Sequence, residues 1–387
     1  LNSLSPLASY AVLGSLFMGS SAAAEDTRAP DPVRLGVYVE SYYAWNFDRP
    51  RNQITHFRGF DNRHDSFTLS NVALDAAAAR DGLSARVTLQ FGHTPNTYYL
   101  AEPALPATAA TGESDRFAWR FLQQALVGWQ PSRTPRLLLE GGLCLSPIGP
   151  EGIAVKDNWN WSRSNLFFGL PFYHTGARAT WDLGGGTKLS GAVYNGWNNV
   201  TDNNGKKSLA AQVQHSRSGL DASALYFGGV ERSPGAPEGD AWRHLFDAWV
   251  RVQPLEALWL MVHANAGVEP NDIEQSSWYA TALYARARLA PRLFIAARGD
   301  WFVEAAGAGA SGRPAPIFWG TFDADGQARV ASATVTLDAQ PREGLLVRVE
   351  YRYDDASVDV YFDETTSSAA PNAHKQSTVT LGTVVWF

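Results

Sequence analysis

The sequence predicts an all-β fold: a single transmembrane up-and-down antiparallel β-barrel of about sixteen strands, with short periplasmic turns and long extracellular loops. Three observations predict it. Apolar and polar residues alternate with a period of two in segment after segment, which places one set on each face of a strand. The connections between segments are short and long in strict alternation, a pattern of up-and-down barrels and not of Greek-key sandwiches. Each segment holds roughly 9–12 residues, enough for a tilted strand to cross the hydrocarbon layer.

In chain order, Tyr10 to Met18 form a short apolar stretch, and Ala22-Ala23-Ala24 stands before Glu25-Asp26. This predicts a secretory signal peptide over residues 1–24, although no basic residue precedes the stretch and the sequence opens on Leu1. A short N-terminal segment, 25–33, leads into a barrel over 34–387. Short connections are expected at 80–82, 131–135, 184–187, 216–219, 254–257, 290–292 and 341–344, each rich in Gly, Pro or polar residues. Long ones are expected at 46–64, 93–116, 146–169, 198–207, 229–242, 268–276, 304–326 and 355–375.

The strands between them read as two-faced. Ala85, Val87, Leu89 and Phe91 alternate with Arg86, Thr88 and Gln90. Leu293, Ile295, Ala297 and Trp301 alternate with Phe294, Arg298 and Asp300, and Val347, Val349 and Tyr351 with Arg348, Glu350 and Arg352. Val379, Leu381, Val385 and Phe387 share the last apolar face. Tyr43, Trp45, Phe91, Trp119, Trp301 and Tyr353 lie near long connections, and Trp129, Trp181 and Phe387 near short ones, as two aromatic girdles would. The alanine-rich run from Val72 to Ala79 has no clear facing.

Composition narrows the alternatives. No run of eighteen apolar residues follows the N-terminal stretch, which excludes a helical membrane protein. Cys144 is the single cysteine, so no intramolecular disulfide forms. A net charge of −6 gives no case for nucleic acid. Asp202-Asn203-Asn204-Gly205 and Asp323-Ala324-Asp325-Gly326 offer oxygen ligands, but neither continues into a calcium loop, and both read as turns. No metal site and no cofactor is expected. The eight histidines are scattered and no Gly-x-Ser-x-Gly elbow is present, so no catalytic residue is assigned.

A barrel of this strand number is too wide for its side chains to fill, and leaves an aqueous lumen. With the apolar faces outward, the lining carries Arg120, Asp182, Arg286, Arg288, Asp300, Arg352 and Asp354. The candidate constriction residues are Glu40, Arg86, Glu140, Arg178, Asp247, Arg251, Arg298, Arg348 and Glu350. Facing rows of opposite charge can set a transverse field across a pore. The same charges can equally pair across strands and stiffen the wall. Arginines slightly outnumber acids, which points to a mild anion preference. On this reading Arg348→Ala is tolerated and Val349→Arg, on the lipid side, is costly.

One stretch carries a resemblance. Leu145-Ser146-Pro147-Ile148-Gly149-Pro150-Glu151, Asn158-Trp159-Asn160-Trp161-Ser162-Arg163-Ser164, Pro171-Phe172-Tyr173-His174-Thr175-Gly176, Asn195-Gly196-Trp197 and Asp202-Asn203-Asn204-Gly205 together resemble the β-barrel porin-2, OmpL-like family. The ending on Val385, Trp386 and Phe387 likewise resembles the last strand of bacterial outer-membrane barrels, which marks these residues as a signal for the barrel-assembly machinery. The resemblance implies a bacterial outer-membrane channel, surrounded by lipid and passing small hydrophilic solutes or ions. A homotrimer is compatible with it. By analogy with general porins, the third long loop folds inward and Asp157, Asn158, Trp159, Asn160, Trp161 and Arg163 narrow the channel. A loop packed on the rim is the alternative. Two other functions stay open: a secreted β-sandwich that binds carbohydrate on surface tryptophans, and an outer-membrane barrel with a plugged lumen and a structural or enzymatic role.

Overall fold

The computed structural model describes residues 33–102, 119–306, 317–365 and 370–387. The expected signal peptide, and all but the last residue of the short segment after it, lie outside these. The strands are β1 (Arg34–Asn46), β2 (Ser66–Arg80), β3 (Leu83–Phe91), β4 (Leu122–Trp129), β5 (Leu137–Leu145), β6 (Tyr173–Gly184), β7 (Thr187–Tyr194) and β8 (Ser208–Arg217). They continue as β9 (Leu220–Val230), β10 (Trp242–Leu255), β11 (Leu258–Pro270), β12 (Gln275–Ala290), β13 (Leu293–Ala305), β14 (Gln327–Arg342), β15 (Leu345–Ala356) and β16 (Lys375–Trp386). Every strand pairs antiparallel with its sequence neighbours, and β1 pairs with β16 to close the barrel. Closure leaves no open sheet edge, which is what a spanning sheet requires in lipid.

Turn chemistry fixes the tight end. Between β2 and β3 only Asp81 and Gly82 remain, both with positive φ (52° and 78°), the left-handed pair that a two-residue hairpin demands. The other short connections fall where the polar punctuation placed them. Strand length departs from expectation. β4 and β7 have 8 residues, whereas β12 and β14 have 16, because ladder pairing on that side continues well past what a crossing needs.

Alternation sorts the two faces as expected. On β15, Val349 and Tyr351 are exposed outward while Arg348, Glu350, Arg352 and Asp354 are buried inward. The alanine-rich β2 resolves too: Leu74 is exposed outward, and Asp75 bonds inward-facing Arg86 and Thr88 on β3. A register shift between Glu40 and Ser41 sets this facing relative to β1.

The inward face differs from a continuous charged lining. Towards the long-loop end of β9–β14 it is apolar. Leu225, Phe227, Leu245, Trp278, Phe302 and Val330 form one core with Ile148, Leu166, Leu170, Trp319 and Tyr361 from the loops. A second core joins Phe60, Tyr98, Tyr99, Ile153, Phe167, Tyr173 and Val200, and Trp119 packs on it rather than in a lipid girdle. Long connections thus bury their own apolar residues inside the barrel mouth, where they leave water.

Candidate functional site in the barrel lumen

The third long connection, residues 146–172, leaves β5 and returns at β6 after touching the wall at many points. Gly149 N–H donates to Asp247 Oδ1 on β10 (3.1 Å). The other oxygen, Asp247 Oδ2, lies 2.6 Å from His263 Nε2 on β11. Val155 N–H donates to the Tyr38 hydroxyl (2.9 Å), beside Glu40 on β1. Trp161 and Ser162 N–H donate to the two Glu350 oxygens (2.5 and 2.9 Å), and Asn165 N–H to Asp300 Oδ1 (3.0 Å).

Three arginines hold the same loop by its carbonyls. Arg348 donates to the carbonyls of Val155, Asn158 and Asn160, and to Asp338 Oδ2 (2.8, 2.5, 3.0 and 3.1 Å). Arg298 donates to the Ser162 and Arg163 carbonyls (2.6 and 3.1 Å), and Arg352 to the Arg163 carbonyl (2.5 Å). Guanidinium carries five fixed donors, so it can pair with a carboxylate and still clamp backbone. Glu151, inside the loop, reaches both Arg298 and the N–H of Ser164. Arg163 turns back to the carbonyls of Gly152, Ile153 and Trp161.

The candidate constriction residues therefore separate into two groups. Glu40, Asp247, Arg298, Arg348 and Glu350 contact the loop and are buried. Arg86, Glu140, Arg178 and Arg251 pair with strand neighbours instead: Arg86 with Asp75 (2.8 Å), Arg178 with Glu140 (2.6 Å), Arg251 with Asp221 (2.8 Å). Exposure divides them, with Arg178 and Glu140 side chains at 21% and 15%, against 0% for Arg298 and 1% for Arg348. Of the loop candidates, Asn158, Asn160, Trp161 and Arg163 are buried against the wall, and Trp159 packs edge-on to Tyr284. Asp157 pairs with Lys156 (2.7 Å). Burial raises the Asp157 carboxyl above its usual range, against the pull of Lys156, Arg348 and Arg86.

Sequence reasoning missed several participants. Arg58 of the first long connection reaches in to Asp354 (2.9 Å) and Thr378 (3.1 Å). Asp75, Asp221 and Asp338 supply the acids that balance Arg86, Arg251 and Arg286. Glu102 receives the Tyr173 hydroxyl and the N–H groups of Val200 and Thr201, and burial raises its carboxyl despite these donors. Arg120 lies just before β4 rather than within it.

Ser146 Oγ stands 3.2 Å from His174 Nε2, yet His174 Nδ1 faces the Gly196 carbonyl, not a carboxylate, and the ring is stacked on Tyr194. Among the described residues no group of three His, Cys, Asp or Glu side chains is placed to hold a metal ion. Asp202 binds the N–H groups of Asn204 and Gly205 and the Lys207 ammonium, and Asp323 those of Asp325 and Gln327, so both motifs are closed turns.

A closed sixteen-strand barrel with apolar residues outward, charge inward and a loop laid along its inner wall is an outer-membrane barrel of the porin class. The chain belongs to the family described as "Putative beta-barrel porin-2, OmpL-like", whose model matches residues 32–387. Its place is the bacterial outer membrane. No curated protein matches the sequence. Among solved structures it is similar to OmpT, an outer membrane protein of Vibrio cholerae (10% identity, TM-score 0.57, 94% of this chain and 100% of that one). It is also similar to an anion-selective porin from Comamonas acidovorans (11%, 0.57, 92% and 99%). The outer membrane channel DcaP of Acinetobacter baumannii is a third (13%, 0.54, 92% and 97%). These likenesses carry the fold.

Proposed function

We propose that the chain is a porin through which small hydrophilic solutes or ions diffuse passively, along a path between the third loop and the β2–β9 wall. The observation that carries this reading is the uneven attachment of the loop. Most of its clamps lie on β10, β13–β15 and β1, with one more where Gln212 of β8 donates to the Pro147 carbonyl, while the partly exposed pairs Asp75–Arg86 and Glu140–Arg178 bond across β2–β3 and β5–β6. Because Arg86, Arg178 and Arg251 each have an acid on the neighbouring strand, the path is close to charge-balanced, which weakens the case for anion preference. Family and neighbours fit a channel rather than an enzyme.

Purified barrel in planar bilayers tests this: stepwise ohmic conductance is expected, with a reversal potential near zero under a salt gradient. Absence of conductance from a folded barrel sinks it. In that event the apolar filling around Trp278, Phe302, Trp319 and Tyr361 favours a plugged barrel. The mature protein is proposed to begin near Glu25. Val385, Trp386 and Phe387 are proposed as assembly determinants because Phe387 exchanges backbone bonds with Val37 where β16 closes on β1 (3.0 and 3.2 Å). Deleting Phe387 should lower the amount of heat-modifiable barrel in the outer membrane while export continues. Undiminished assembly would remove that role.

A further inference from the structure

The inward face of β16 carries Gln376, Thr378, Thr380, Val384 and Trp386, and between Thr380 and Val384 it carries no side chain at all. Gly382 occupies that place. Its backbone lies outside the left-handed region, so conformation does not require glycine there. Space does. A Cβ on Gly382 would overlap Cζ3, Cη2 and Cε3 of the Trp161 ring. The ring is 1% exposed, and its centroid lies 6.2 Å from that of Tyr42 on β1. Gly382 pairs in register with Tyr42 on one side and Arg348 on the other. Trp161 is thus seated between the aromatic ring of β1 and the arginine that holds the Asn158 and Asn160 carbonyls. Its own N–H is fixed on Glu350.

We infer that Gly382 is a socket for Trp161 and sets how far the third loop stands off the wall, making the two a specificity-determining pair for the channel. The inference rests on the porin reading for its consequence, though not for its geometry. A residue with a Cβ at position 382 drives the ring, and the loop behind it, off the β16 wall towards the barrel axis. The remaining path narrows. Removing the ring does the reverse, letting the loop settle outward. A Trp that merely filled core space would lose stability in either variant without opposite effects on passage.

The test uses the full-length refolded barrel and three variants: Gly382→Val, Trp161→Gly and the two combined. Gly382→Val is expected to lower single-channel conductance, and Trp161→Gly to raise it, each by about twofold, with the double variant returning towards wild type. In parallel, the temperature at which the folded gel band converts to the unfolded one should fall in each single variant and recover in part in the double. Should Gly382→Val fail to assemble, Gly382→Ala takes its place with a smaller expected decrease. Wild-type conductance in both assembled single variants overturns the inference, as does a double variant whose losses add. If the wild-type barrel does not conduct, the porin reading fails separately. The heat readout still decides the socket, since recovery supports it and summed loss rejects it.

Discussion

Two walls of the lumen use the same residue types and put them to different ends. On β13–β15, arginines pair with carboxylates along their own strand or across to the next, and spend further hydrogen bonds on the third loop. On β2–β3, β5–β6 and β9–β10, the pairs Asp75–Arg86, Glu140–Arg178 and Asp221–Arg251 bond across neighbouring strands and keep part of their surface exposed. An inward charge is therefore not in itself a solute contact. What decides is whether backbone carbonyls or N–H groups reach it first, because a buried guanidinium or carboxylate needs every partner it can find.

The largest effect expected from this contrast is on stability. Arg348→Ala strips donors from three loop carbonyls and leaves Asp338 less compensated, and should cost about 3–5 kcal/mol in detergent unfolding, contrary to the tolerance its sequence position suggested. Arg178→Ala should cost only about 1 kcal/mol. Equal losses would erase the distinction between the walls. One residue from Arg348 but on the lipid side, Val349→Arg should cost about 2–4 kcal/mol if it lies near the midplane, read in the same unfolding assay in lipid. A neutral result would mean that β15 has its faces reversed.

Selectivity sharpens the comparison further. Glu140→Gln leaves Arg178 uncompensated on the open wall and should move the reversal potential towards anions at nearly unchanged conductance. Glu350→Gln, on the clamped wall, should alter conductance and leave the reversal potential alone. Identical shifts from both would argue that the loop leaves both walls equally wet. The smallest effect concerns the rim. Partial burial works against ionisation of Asp202, yet Lys207 and the N–H groups of Asn204 and Gly205 hold its carboxyl below the usual range. A depressed folded value gives stabilisation that is complete above the unfolded value and lost as pH falls through the folded one, hence only below about pH 4. Exchange of the Asn204 and Gly205 amides should accelerate in that window, and Asp202→Asn should remove the pH dependence.

Much of this architecture could be read from residues alone, for a local reason. Period-two alternation and turn chemistry at Asp81-Gly82 or Pro341 to Gly344 act within a few residues, so strand number, facing and closure follow from short-range pattern. The division of the lumen could not be read that way. Arg298 and Arg178 sit on similar strands with similar neighbours, and only the path of residues 146–172 tells them apart. Long connections lack periodicity, and their contacts join residues well over a hundred positions apart, as Trp161 and Glu350 do. Gly382 illustrates the same limit. Within its own strand it looks like a weak spot in an alternation, and its purpose lies in a loop on the far side of the sequence.

The uneven strands have a consequence for the surrounding bilayer. A strand of 8 residues, such as β4 or β7, rises about 20 Å when tilted like those of other barrels, short of an apolar band of about 25 Å. A strand of 16 residues, such as β12 or β14, rises about twice as far and stands clear of the hydrocarbon. No flat membrane of single thickness matches both sides at once. Lipid beside β4 and β7 is drawn thin, or the cylinder leans until these strands are better covered, so the protein carries in its strand lengths a built-in direction of membrane deformation.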